Sequence, residues 1–192
     1  MKKKLTLVVS LLLVMALSIG GTLAYLTYET DEIVNTFTVG NVKIALAETN
    51  VDEGSELANS YKMIPGNTIA KDPTITVDSG SETCWVFVKV EGNSSYSSYL
   101  EHVMADGWTP VSGAANVFVY SDGTDNEIAA GTEIAVLKDN QVTVKTTVTQ
   151  DMMDDITNPE KNVDEPTLTI TAYAVQYANV KTVAEAWAAV NS

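Results

Sequence analysis

The residue types that most often carry catalytic or metal-binding chemistry are scarce in this chain of 192 residues. It contains one histidine, His102, and one cysteine, Cys84. A helical zinc-hydrolase motif needs two histidines, and a catalytic thiolate needs a histidine partner, which nothing in the sequence places beside Cys84. The serine-hydrolase motif G-x-S-x-G and the glycine-rich phosphate-binding motifs are absent. The sequence therefore favours a protein without enzymatic activity, and it predicts no catalytic residue and no cofactor.

Carboxylates are abundant, with 25 Asp and Glu residues. Any two of them could meet in the fold as a glycoside-hydrolysing pair, so a hydrolase remains an alternative. The polar segment 150–166 is predicted to be a loop, and its clustered acids make it a candidate calcium site. Its spacing does not match an EF-hand loop, so a solvated acidic loop is the default interpretation and no metal is assigned. The calcium candidates are Asp151, Asp154 and Asp155.

Residues 1–24 have the organisation of a secretory signal peptide. Three lysines at positions 2–4 precede an uncharged apolar stretch over 5–19, and small residues at the exit predict cleavage between Ala24 and Tyr25. The alternative is a membrane anchor, which the glycine pair before the cleavage site argues against. We therefore expect a secreted protein, located in the extracellular matrix or at the cell surface and free of the membrane after processing.

The net charge excludes one class of partner. Removal of residues 1–24 leaves 8 lysines and no arginine against 25 carboxylates, a formal charge of −17. Such a chain is repelled by nucleic-acid phosphates, which need Lys or Arg to neutralise them. We expect no nucleic-acid partner, and we expect any self-association to respond to salt, acid or divalent cations.

Alternation of apolar and polar residues with period two dominates residues 25–192 and predicts half-buried strands. Cys84 lies within a continuous apolar run and is interpreted as a small buried hydrophobe. Many short strands separated by turn signals indicate a single all-β domain with minor helix, built as an antiparallel sandwich or barrel. The predicted strands are 42–46, 74–78, 83–91, 116–120, 132–137, 142–149 and 168–175.

Two segments are predicted to be helical. The first, 98–105, has the length of one or two turns. The second begins at a capping box formed by Thr182 and Glu185, and we expect it to dock on the sheets through one apolar face. That face comprises Val183, Ala186, Trp187 and Val190.

Both ends of the chain resemble one family. Residues 20–27 and 35–44 (GGTLAYLT and NTFTVGNVKI) are similar to the export signal and opening strand of the TasA/camelysin family. Residues 168–176 (LTITAYAVQ) and the helical residues 184–187 resemble its closing strand and helix. Members of this family are secreted Gram-positive proteins processed by a dedicated SipW-type signal peptidase.

The resemblance implies a jelly-roll-like antiparallel β-sandwich with short peripheral helices. It further implies a structural subunit of biofilm matrix fibres, in which the new N-terminal strand of one molecule completes a sheet of its neighbour. In this sequence the donor strand would be residues 25–37. Its side chains for the neighbour would be Tyr25, Leu26, Tyr28, Ile33, Val34 and Phe37.

The resemblance leaves other functions to be weighed. Camelysins have been labelled metalloproteases, but with His102 as the one histidine no catalytic residue is carried over. The protein could instead be a monomeric cell-surface adhesin, or an accessory protein that anchors fibres. The expected partners are other copies of the chain, other matrix or cell-surface proteins, and the signal peptidase during export. The final residues lack an L-P-x-T-G sorting motif, so covalent attachment to the cell wall is not expected.

Overall fold

The computed structural model describes residues 40–49 and 61–190, which belong to the compact unit Val39–Ser192. These residues form ten strands in three antiparallel sheets, together with three short α-helices. The prediction of an all-β fold with minor helix is therefore confirmed. The predicted signal peptide 1–24 and donor strand 25–37 lie outside the described residues.

The strands and helices are numbered in chain order. The strands are β1 (Ile44–Ala47), β2 (Thr68–Ala70), β3 (Thr74–Val77), β4 (Cys84–Gly92), β5 (Leu100–Glu101), β6 (Trp108–Pro110), β7 (Val117–Tyr120), β8 (Glu133–Ala135), β9 (Gln141–Val144) and β10 (Leu168–Gln176). The helices are α1 (Tyr96–Tyr99), α2 (Gln150–Thr157) and α3 (Val183–Val190).

The central sheet has the strand order β10-β4-β7-β6, and β4 is buried on both of its faces. Alternate side chains of a strand point to opposite faces. One set from β4 enters the main core, while Trp85 and Phe87 enter a second apolar cluster beneath α3. Burial on both faces explains why β4 begins with a continuous apolar run, residues 84–88, and not with an alternating pattern. The set in the main core comprises Cys84, Val86, Val88 and Val90.

The two smaller sheets supply the other side of the main core. Their strand orders are β1-β3-β8 and β2-β9-β5. Ile75 and Val77 of β3 and Val144 of β9 are fully buried there, and Ile134 of β8 and Val142 of β9 are nearly so. The main core is thus enclosed by all three sheets, with β4 as its longest wall.

Helix α3 covers the second cluster, as its sequence pattern predicts. Glu185 N–H donates to the Thr182 hydroxyl at 3.2 Å, and Thr182 N–H donates to the Glu185 carboxylate at 3.2 Å. This reciprocal pair satisfies two amide groups that a helix start otherwise leaves unpaired. The Trp187 ring lies 5.4 Å from the Phe87 ring and 5.5 Å from the Tyr173 ring, between centroids. Trp187 is therefore a packing anchor.

Three sequence predictions were wrong in detail. The predicted helix 98–105 is a single turn, α1, after which Leu100–Glu101 is a strand that pairs with β9. The predicted strand 142–149 ends at Val144. The predicted loop 150–166 begins with helix α2, whose cap is the Thr149 side chain accepting a hydrogen bond from Met152 N–H. The short strands β2, β5 and β6 were not predicted, because two or three residues show no periodicity.

The close packing of Gly92 against Tyr96 generates a stability prediction. A Cβ at Gly92 would lie 2.5 Å from the Cβ and Cγ atoms of Tyr96, which is a buried part of the main core. We expect Gly92→Ala to displace this ring and to lower the free energy of unfolding by roughly 1–3 kcal/mol in urea titrations. At Gly80 the added Cβ would lie 3.5 Å from its nearest neighbour, so Gly80→Ala is the control. Equal losses in the two variants would contradict this packing.

Candidate functional site

The edges of the three sheets differ in length. Among the described residues, the edge strands β1, β2, β5, β6 and β8 have two to four residues each, whereas β10 has nine. Strand β6 also ends in Pro110, which cannot donate a ladder hydrogen bond. Short edges and prolines are common ways in which proteins block pairing with other chains. Strand β10 has neither feature.

The hydrogen-bond register shows which groups of β10 face outward. Just beyond its two ends, Asn93 N–H donates to the Thr167 carbonyl at 3.1 Å and Tyr177 N–H donates to the Thr83 carbonyl at 2.9 Å. Because bonded residues alternate in an antiparallel pair, the odd-numbered residues of β10 bond to β4 and the even-numbered residues direct N–H and C=O away from it. Within the described part of the chain, no backbone hydrogen bond is made to the outward groups. They belong to Leu168, Ile170, Ala172, Ala174 and Gln176.

The side chains of β10 make this edge apolar on both faces. Ile170, Ala172 and Ala174 are half-buried and pack against the main core. On the opposite face Tyr173 and Val175 are half-buried in the second cluster beneath α3. A strand added to this edge would therefore extend two apolar layers as well as the hydrogen-bond ladder.

Strand β1 lies beside this edge. Its Cα atoms come within 8 Å of those of β10, but no backbone hydrogen bond joins the two strands in the described ranges. Asp78 N–H donates to the Lys43 carbonyl at 2.9 Å, so Ile44 and Leu46 direct their backbone groups away from β3. We call the line between these two unpaired edges the seam.

Both ends of β1 are tied by polar contacts to residues that flank β3. At its start, Lys43 Nζ lies 3.2 Å from Asp78 Oδ2, and a hydrogen bond from Gly80 N–H together with Lys43 lowers the pKa of Asp78. At its end, Lys71 Nζ lies 2.6 Å from Glu48 Oε1, and both side chains are mostly buried, with 15% and 17% exposed. Thr49 adds hydrogen bonds to Asp72 beyond the strand. These contacts hold β1 along the seam.

Cys84 and His102 belong to the residue types most often used in catalysis, and burial shifts the pKa of both. Cys84 is fully buried, and burial raises the pKa of its thiol to about 11, so it is not a ready nucleophile. The Tyr96 hydroxyl lies 2.9 Å from Nδ1 of His102. Burial lowers the pKa of His102 and raises that of Tyr96. The described contacts of Cys84 and His102 are packing and hydrogen-bond contacts within the fold.

The calcium candidates are not brought together. Asp151, Asp154 and Asp155 lie on α2, where Asp154 accepts a hydrogen bond from the Gln150 amide at 2.8 Å and Asp155 lies 3.4 Å from Lys161 Nζ. No group of three His, Cys, Asp or Glu side chains that could hold a metal ion occurs in the described residues. In the same ranges, no helix is long and apolar enough to cross a membrane.

The remaining site residues predicted from the sequence lie outside the described residues. These are the cleavage position Ala24–Tyr25 and the donor-strand residues from Tyr25 to Phe37. The seam cannot be located from the sequence, because strand periodicity does not reveal which strands lie at the edge of a sheet. The one usable signal was the length of the 168–176 run together with its lack of proline.

Comparisons with known proteins returned no match to a family model, to a curated protein or to a solved structure. The function is therefore inferred from the residues of the chain and the geometry of the fold.

The burial of His102 generates a prediction about pH. Its pKa is lowered in the folded protein, so the unfolded chain binds the proton first as the pH falls. The stability that His102 contributes is complete above about pH 6.5 and is lost as the pH falls from there through the folded pKa. We expect denaturant titrations across this range to show a smaller acid-induced loss in His102→Gln than in the unmodified chain. Identical pH dependence of the two proteins would contradict the prediction.

Proposed function

We propose that this protein is a secreted structural subunit of extracellular biofilm matrix fibres, assembled by strand donation. Residues 25–37 of one copy pair with the outer edge of β10 in the next copy, within a jelly-roll-like sandwich. The observation that carries the proposal is the nine-residue edge of β10, which is unpaired among the described residues. An added strand satisfies the outward N–H and C=O groups of such an edge.

The proposed donor has the length that this edge requires. Nine residues of β10 span about 30 Å, and thirteen extended residues span about 44 Å. The apolar donor side chains fall at both odd and even positions, so they face both sides of the added strand. This suits an edge that is apolar towards the main core and towards the second cluster.

The position of Gly40 supports donation from this end of the chain. A Cβ on Gly40 would lie 3.6 Å from the Gln176 side-chain nitrogen. The chain therefore enters the described fold beside the C-terminal end of β10. The preceding donor residues can pair with the β10 edge of another copy, which builds a fibre, or with their own, which leaves a monomer.

The charge of the mature chain supports an assembly that depends on conditions. Copies with a formal charge of −17 after removal of residues 1–24 repel one another at low ionic strength. Salt, acid or divalent cations weaken this repulsion. Each main-chain hydrogen bond gained at the edge contributes roughly 0.5–1.5 kcal/mol, to which burial of the donor side chains adds.

The proposal predicts that a proline at one outward-facing amide blocks assembly. Ala172→Pro removes an N–H that β4 does not use, so the fold should persist while the donor loses a partner. We expect mature protein starting at Tyr25 to form fibres in electron micrographs as salt, calcium and acidity are varied. Fibres should be absent from Ala172→Pro and from a variant lacking 25–37.

The matched control is Ala135→Pro on the edge strand β8. Val136 N–H donates to the Pro73 carbonyl at 3.0 Å, so the Ala135 N–H also points away from its sheet. This variant should form fibres normally, and thermal unfolding would establish that both proline variants are folded. Persistent monomers of the unmodified protein under every condition would contradict strand donation and favour a monomeric adhesin or anchoring protein. Fibres from the variant lacking 25–37 would exclude that segment as the donor.

A further inference from the structure

The seam is too narrow to accept a strand as it stands. Hydrogen-bonded strands lie about 4.8 Å apart, so a strand inserted between two others needs roughly 9–10 Å between them. The Cα atoms of β1 and β10 approach within 8 Å, and their half-buried side chains line the same main core. A donor strand placed between β10 and β1 would therefore not fit at bonding distance from β10.

We infer that β1 is a gate over the β10 edge, which must detach from β3 before another copy can add its strand. This inference rests on the proposed strand donation and specifies how it is regulated. Strand β3 cannot move with the gate, because Ile75 and Val77 are fully buried and its other side is paired with β8. Movement of β1 therefore means loss of its pairing with β3.

The pairing of β1 with β3 is short and partly exposed, so β1 can detach. It has four residues in register with β3, and its core-facing side chains Ile44 and Leu46 are only half-buried, as is Val42 just before the strand. The ion pairs Lys43–Asp78 and Glu48–Lys71 hold its two ends. Short edge elements that are partly exposed open more easily than the rest of a folded protein. The fraction of molecules with β1 detached then sets the apparent affinity for a donor strand.

A disulfide between β1 and β3 tests the gate directly. Ala45 and Thr76 are register partners on the face directed away from the main core. Their hydrogen-bonded position implies a Cα separation of about 5.5 Å, within the range that a disulfide spans. Ala45→Cys with Thr76→Cys should slow fibre formation about tenfold or more when oxidised, and reduction should restore the normal rate. The native Cys84 is fully buried and does not compete for pairing.

The matched control disulfide links β3 to β8. Thr74 and Ala135 are register partners on the other side of β3. Thr74→Cys with Ala135→Cys stabilises the same sheet without restraining β1. Fibre formation by this variant should be the same in its oxidised and reduced forms.

Weakening the attachment of β1 should have the opposite effect. Glu48→Gln removes the charge that pairs with Lys71 and should shorten the lag before fibres appear. Asp155→Asn, which removes the distant ion pair with Lys161, changes the net charge by the same amount. Glu48→Gln should therefore shorten the lag more than Asp155→Asn does. The lag would be followed by light scattering, and electron microscopy would identify the product as fibres.

The outcomes separate the gate from the strand donation on which it rests. Equal rates for the oxidised and reduced Ala45–Thr76 disulfide would overturn the gate while leaving strand donation intact. A lag in Glu48→Gln no shorter than that in Asp155→Asn would also count against the gate. Absence of fibres from the unmodified protein under every condition would overturn both proposals.

Discussion

The architecture depends on β4, which is paired on both edges and buried on both faces. Its register with β10 runs over nine residue pairs, from Gln176↔Cys84 to Leu168↔Gly92. That pairing directs the odd-numbered amides of β10 inward and the even-numbered ones outward. The main core lies on one face of β4 and the second cluster on the other, and both continue onto β10. The central strand thereby creates an edge that is apolar on both faces and that has no hydrogen-bonded neighbour within the described residues.

An edge of this kind carries a risk that most proteins reduce, because unpaired apolar strands aggregate. Two features of this chain limit that risk. Its 25 carboxylates against 11 lysines keep copies apart when ionic strength is low. The Cα atoms of strand β1 lie within 8 Å of those of β10, which leaves too little room for another strand between the two. Under the proposed function, an open edge combined with repulsion and a gate gives assembly that starts only in suitable conditions.

The sequence predicted the features that local patterns determine. The capping box at Thr182 and Glu185 located α3, and the apolar run from Cys84 located β4. The segment that forms α2 was predicted as a loop because it is rich in acidic residues. Met152, Met153 and Ile156 nevertheless form a half-buried apolar face of the helix. Sheet order arises from pairing between distant segments, which no local period encodes. The edge of β10 that is unpaired within the described residues, and the position of β1 beside it, were therefore visible only in the structure.

Amide hydrogen exchange along β10, compared between monomers and fibres, is the most direct measurement of the central proposal. The odd-numbered amides bond to β4 and should be protected in both states. The even-numbered amides of Ile170, Ala172 and Ala174 face outward, so their exchange should be fast in the monomeric variant lacking 25–37 and slow in the fibre. Fibres in which these amides exchange as fast as in the monomer would show that β10 is not the acceptor edge.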